Sequence, residues 1–202
     1  MVGIIDYGVG NLFSLKSSLK YLGISAEIVN DKKSIQSCER LILPGVGAFG
    51  DAAKALADSG LDKVVIAAAN EGKPLLGICL GMQLLFEEGL EFGSHKGLGL
   101  IPGKVVSIKP LVGDNKIPHI GWNQLHITEN KGGIYKYTDN GEFVYFVHSF
   151  HAECPEEFIT AKTDYGAMLT ASVQNKNVMG AQYHPEKSGE AGLMILKSFC
   201  EI

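Results

Sequence analysis

No apolar stretch of the chain is long enough to cross a bilayer, so no helical membrane span is expected. Basic runs and Lys/Arg-rich stripes are missing too. With 22 Asp and Glu against 18 Lys and Arg the formal charge is −4, which argues against nucleic acid as the partner. The opening residues Met1-Val2-Gly3-Ile4-Ile5-Asp6 have neither the basic start nor the long apolar core of a secretory leader. Cys38, Cys79, Cys154 and Cys200 are widely spaced, with no Cys-x-x-Cys pair and no Cys/His cluster, so no metal site is expected. Thiols of this kind in a chain without a leader point to the cytoplasm. Internal repeats, low-complexity tracts and interdomain linkers are absent, and one domain over residues 1–202 is expected.

Hydrophobic residues make up 46% of the chain, enough for a sizeable core and too many for a disordered one. In the first half, apolar runs at Val2–Asp6, Ile24–Val29, Arg40–Leu43 and Pro74–Ile78 read as strands. Between them lie helical patterns at Asn11–Leu22, Asp51–Asp58 and Leu61–Asn70, and another is expected from about Gly81 to Glu88. Asn11 fits an N-cap and Gly23 a helix stop. Strands alternating with helices predict a parallel sheet. In the second half, Lys104–Ile108, Gly121–Ile127, Phe143–His148, Phe158–Thr163, Leu169–Val173 and Val178–Gln182 read as strands, with linkers too short for crossover helices. Antiparallel pairing is expected there, before a last helix at Gly189–Cys200. The fold class is therefore α/β: a central mixed, mostly parallel sheet flanked by helices, with antiparallel strands in the C-terminal half.

Gly45-Val46-Gly47-Ala48-Phe49-Gly50 matches the dinucleotide fingerprint G-x-G-x-x-G, and Glu71 follows about twenty residues on as that motif asks. Two details tell against a dinucleotide. Pro44 interrupts entry into the turn, and the motif follows the third strand instead of the first. Pro44–Gly47 reads better as a loop whose main-chain N–H groups approach an anion or oxyanion. No cofactor is expected.

Gly77-Ile78-Cys79-Leu80-Gly81 stands between a strand and a helix with a small residue two before and two after the cysteine. Such a turn lifts its central side chain above the sheet edge as a nucleophile, with helix N–H donors behind it for developing negative charge. A nucleophilic cysteine needs a base and a group to orient that base. Of the six histidines, His184 has Glu186 two residues on, on the same side of an extended segment. His148, ending the strand Phe146-Val147-His148, competes for the role but has no acid at a comparable offset.

Together these residues resemble class I glutamine amidotransferases, the triad type. The family's pattern stands here as Pro44-Gly45-Val46-Gly47, Cys79-Leu80-Gly81-Met82-Gln83 and His184-Pro185-Glu186. Within the family the likeness is to glutaminase subunits of imidazole glycerol phosphate synthases. It is carried also by Asp6–Asn11, Pro118-His119-Ile120-Gly121-Trp122-Asn123, Tyr145–Phe150 and Gln182–Ser188.

The resemblance implies a Cys79/His184/Glu186 triad, with an oxyanion hole from main-chain N–H groups at Leu80 and at Val46 or Gly47. It also implies that L-glutamine is held by Gly47, Gln83, Glu91, His148 and Ser149. Ammonia would pass to a (β/α)8-barrel cyclase, the other half of a heterodimer, which makes imidazole glycerol phosphate and AICAR in histidine biosynthesis. Asn11, Trp122, Tyr145 and Lys187 would lie at the interface or tunnel gate. Alternatives are the glutaminase subunit of another synthase, such as anthranilate or pyridoxal phosphate synthase, or a silent regulatory subunit of the same fold. A cysteine peptidase fits less well, because Gln83 and Glu91 suit a small amino acid better than a chain.

Overall fold

The computed structural model describes residues 1–202. The first half runs β1 (Val2–Ile5), α1 (Leu12–Tyr21), β2 (Ala26–Val29), α2 (Lys32–Ser37), β3 (Arg40–Gly45), α3 (Phe49–Asp58), α4 (Leu61–Asn70), β4 (Leu75–Cys79) and α5 (Leu80–Leu84). It continues through β5 (Phe86–Gly89), β6 (His95–Lys96), β7 (Ile101–Ser107), β8 (His119–Gln124), β9 (His126–Ile127), β10 (Phe143–His148) and β11 (Phe150–Glu153). The chain closes with β12 (Ile159–Asp164), β13 (Met168–Asn175), β14 (Val178–Ala181) and α6 (Gly189–Cys200).

Eight strands form the central sheet in the order β2-β1-β3-β4-β14-β13-β12-β9. Pairing is parallel from β2 through β14 and antiparallel beyond it. Successive side chains on a strand point to opposite faces, and the core divides accordingly. Leu41, Leu43 and Leu75 enter one apolar cluster with Leu56 and Val65 from α3 and α4. Ile42, Leu76 and Ile78 enter the other with Leu15 and Leu19 of α1 and Ile195, Leu196 and Phe199 of α6. The mixed sheet between helical layers is the expected fold class. No helix is long and apolar enough to cross a membrane.

Three local expectations need correction. The helix expected from Gly81 to Glu88 stops at Leu84, because Phe86–Gly89 pairs in parallel with β7. The single strand expected at Gly121–Ile127 splits at Leu125: β8 pairs with β10, while β9 joins the central sheet beside β12. β3 does not close at Pro44 but runs on to Gly45, which lies in register with Cys79. Three elements have no counterpart in the sequence reading, α2, β6 and β11.

Candidate active site

β4 feeds directly into α5, and Cys79 makes the corner at φ 54°, ψ −112°. A non-glycine residue in such a conformation costs about 1–3 kcal/mol and is held only by its surroundings. The flanking glycines are those surroundings. A Cβ on Gly77 would lie 2.6 Å from the Gly81 carbonyl oxygen, and one on Gly81 would lie 1.8 Å from that of Leu43. α5 is thus pressed onto β3 and β4 with no side chain between.

The corner opens into a cavity of about 320 Å³. Its lining brings together Val46, Gly47, Cys79, Leu80, Gln83, Glu91, His148, Ser149, His184 and Lys187, drawn from five separate stretches of chain. Leu80 begins α5, so its N–H has no partner within the helix. Gly47, at φ +97°, makes the second lip of that opening a glycine conformation.

Glu186 lies behind His184, its Oε1 2.9 Å from His184 Nδ1, with 3% and 1% of the imidazole and carboxylate side chains exposed. Burial works against a charged imidazole. The Cys79 side chain and then Glu186 outweigh it, and His184 is pushed up to about 9. The Cys79 sulfur stands 3.8 Å from the Val147 carbonyl oxygen and 3.8 Å from Gln182 Nε2.

His148 lines the same cavity but is not placed to serve as the base. Its Nδ1 is 2.8 Å from the Phe150 carbonyl oxygen and its Nε2 is 3.0 Å from His119 Nδ1, so both ring nitrogens are engaged. Burial takes its pKa down to about 3. His119 is itself stacked on Tyr165, with ring centroids 3.9 Å apart, and its Nε2 meets Asn123 Oδ1 at 2.8 Å.

The expected substrate contacts sit in two hydrogen-bonded frames. Gln83 Nε2 donates to Gln182 Oε1 at 3.0 Å and to the Phe150 carbonyl at 3.2 Å. Glu91 Oε2 accepts the Phe49 N–H at 2.7 Å. Of the expected gate residues, Trp122 and Tyr145 meet edge to face at 6.0 Å, and Lys187 Nζ lies 5.8 Å from the centre of the Tyr145 ring. Asn11 occupies the N-cap position of α1, makes no side-chain cap bond, and has no hydrogen bond to those three. Among His, Cys, Asp and Glu, no group of three is placed to hold a metal ion.

The sequence pattern described as glutamine amidotransferase class-I matches residues 3–201. The chain belongs to that family. Among the similar proteins is the imidazole glycerol phosphate synthase subunit HisH of Caldanaerobacter subterraneus subsp. tengcongensis, 49% identical over all of this chain and 98% of its own length. The subunit of the same name from Wolinella succinogenes is 47% identical over the full length of both chains. That of Methanothermobacter thermautotrophicus is 45% identical over all of this chain and 98% of its own. The PurLQS structure from Thermotoga maritima shares the fold, with a TM-score of 0.75 at 22% identity over 99% of this chain and 97% of that one.

Three residues at or behind this candidate site carry no role in the sequence reading. Tyr7, just after β1, donates its hydroxyl to the Pro44 carbonyl at 2.9 Å and so pins the start of the Pro44–Gly47 loop. Burial, and then the charge of Cys79, hold its proton well above the ordinary tyrosine range. His119 buttresses His148. Gln182 is fully buried beside the thiol. The period-2 offset from Gln182 to His184 was the available signal, since it places both on one side of an extended segment.

Proposed function

We propose that the chain is the glutaminase subunit of an imidazole glycerol phosphate synthase. The observation that carries this is a cysteine on a strained strand–helix corner, facing an imidazole backed by a buried carboxylate, in a chain whose full-length relatives bear that name.

In the proposed reaction the Cys79 sulfur attacks the side-chain carbonyl carbon of L-glutamine. The carbonyl oxygen becomes an oxyanion, which the N–H groups of Leu80 and of Val46 or Gly47 receive. Each such donor is worth about 10²–10³ in rate. The C–N bond then breaks, and His184 gives its proton to the departing ammonia. A γ-glutamyl thioester remains. Water attacks it while His184 takes a proton, the C–S bond breaks, and glutamate leaves. Glu186 holds the imidazole in the tautomer both steps require. Gly47, Gln83, Glu91 and Ser149 hold the glutamine, and His148, whose ring nitrogens are both engaged, contributes through its backbone.

Ammonia released into water near neutral pH would be protonated and no longer nucleophilic. The chain is therefore proposed to work in a heterodimer with a (β/α)8-barrel cyclase that receives the ammonia without exposure to solvent. Trp122, Tyr145 and Lys187, clustered beside His184, are the proposed gate, with Asn11 at the same interface. Trp122 supports this, being 51% exposed where a Trp of a core would not be. A cytoplasmic location goes with this role, where all four thiols would stay unpaired. The test is to mix the purified chain with the cyclase and its nucleotide substrate and follow glutamate release. Release should rise sharply over the chain alone; equal release with and without the partner would oppose the proposal.

A further inference from the structure

We propose that Gln182 is a positioning residue for glutamine hydrolysis, fixing which way round the Gln83 carboxamide stands and aiming an N–H at the Cys79 sulfur. This rests on the glutaminase role proposed above and adds a residue to it.

Gln182 has no exposed surface, and its backbone is tied down by an N–H donated to the Ala171 carbonyl at 2.8 Å. A carboxamide has two hydrogens on nitrogen and only acceptor sites on oxygen. Both hydrogens of Gln83 Nε2 are committed inside the protein, one to Gln182 Oε1 at 3.0 Å and one to the Phe150 carbonyl at 3.2 Å. Gln83 Oε1 is then the atom without a protein partner, and Gln83 lines the cavity. Turning the Gln83 amide over would set its oxygen against two other oxygens. The pair is locked with an acceptor facing the substrate, which suits the α-ammonium group of an amino acid.

The same interlock orients Gln182. With its oxygen turned to Gln83, its Nε2 faces the Cys79 sulfur at 3.8 Å. A further polar neighbour of the sulfur, the Val147 carbonyl at 3.8 Å, suits an S–H and opposes a negatively charged sulfur. Gln182 therefore supplies a neutral side-chain donor that favours the attacking form, in addition to the His184 imidazole across the cavity. Inside a buried site, where water does not compete, a donor of this kind counts for more than at the surface.

Two substitutions separate the two tasks, both read in the intact chain with its cyclase partner. Gln182→Met keeps the length and removes both hydrogen bonds. It should lower kcat/KM for glutamine about tenfold to a hundredfold, narrow the preference for glutamine over 4-carbamoylbutanoate, which lacks the α-amino group, and slow alkylation of Cys79 by iodoacetamide. Gln182→Glu keeps an acceptor for Gln83 but turns a carboxylate oxygen to the sulfur. It should slow alkylation while keeping the preference for glutamine.

A folded Gln182→Met variant with wild-type preference and wild-type alkylation would overturn the proposal. If that variant does not fold, Gln182→Glu decides: unchanged alkylation overturns it and slowed alkylation supports it. Alkylation needs no glutamine. Failure of the wild-type complex to release glutamate would therefore sink the glutaminase role while leaving the effect of Gln182 on the thiol readable.

Discussion

Glu91 accepts the Phe49 N–H through Oε2 at 2.7 Å, so the carboxylate expected to hold glutamine also caps the first turn of α3. That helix has no side-chain cap of its own at Ala48. The Pro44–Gly47 loop leads straight into it, so glutamine held at Glu91 as proposed would be mechanically joined to the geometry of the proposed oxyanion loop.

Two substitutions at Glu91 should therefore behave differently. Glu91→Ala removes the cap as well as the charge, costing about 1 kcal/mol of stability together with a raised KM for glutamine. Glu91→Gln keeps an acceptor for Phe49 and should raise KM with little change in the urea midpoint. Equal midpoints for the two variants would mean that the cap is not stabilising.

At the elbow, Gly81→Ala should be one of the most damaging single changes in the chain. The added carbon would stand 1.8 Å from the Leu43 carbonyl oxygen, and backbone must move to relieve it. A loss of more than about 3 kcal/mol in urea unfolding is expected. Gly8→Ala is the control: φ is +92° but nothing lies within 4 Å, so only the local strain of about 1–2 kcal/mol applies.

The buried histidines set an acid limit on stability. His148 is held down to about 3, so between there and its ordinary 6.5 the unfolded chain takes a proton that the folded one refuses. Stability is full above that window and is lost as pH falls. From pH 7 to pH 5 His148 alone should cost about 2 kcal/mol. Burial lowers His119 and His151 as well, in the same direction. His184 acts oppositely: raised to about 9, its contribution is present below 6.5 and fades as pH climbs toward 9. Urea titrations at pH 7 and pH 5 measure the acid arm, and His148→Gln should flatten it.

Trp122→Ala should leave the isolated chain nearly as stable as before, since the indole is half exposed. Its effect belongs to the complex. Calorimetric titration with the cyclase should show affinity reduced at least about tenfold, the scale of an aromatic anchor at an interface. Unchanged affinity would remove Trp122 from the proposed contact surface.

Much of this architecture was legible in the chain. α6 matches its expected bounds because Gly189 and the spacing of Ile195, Leu196 and Phe199 mark it clearly. α2 escaped notice because Lys32–Ser37 buries only Ile35; its order comes from Asp31 accepting the N–H groups of Lys33 and Ser34. β5 read as helix because Met82, Leu85 and Phe86 continue a helical spacing. Tertiary pairing overrides that spacing, and Gly89 is pressed against the Phe49 ring. At the site, the cysteine, histidine and glutamate stood out through short local motifs. Gln182, Tyr7 and His119 did not, because each acts through a partner dozens of positions away that only the folded sheet brings near.

Replacing the nucleophile tests the central claim most directly. In the complete heterodimer, Cys79→Ala should abolish synthesis driven by glutamine and leave synthesis driven by added ammonium salts close to the wild-type rate. Glutamine-driven synthesis that survives the change, or loss of both activities together in a variant that still assembles, would contradict a thiol that feeds ammonia to a separate synthase site.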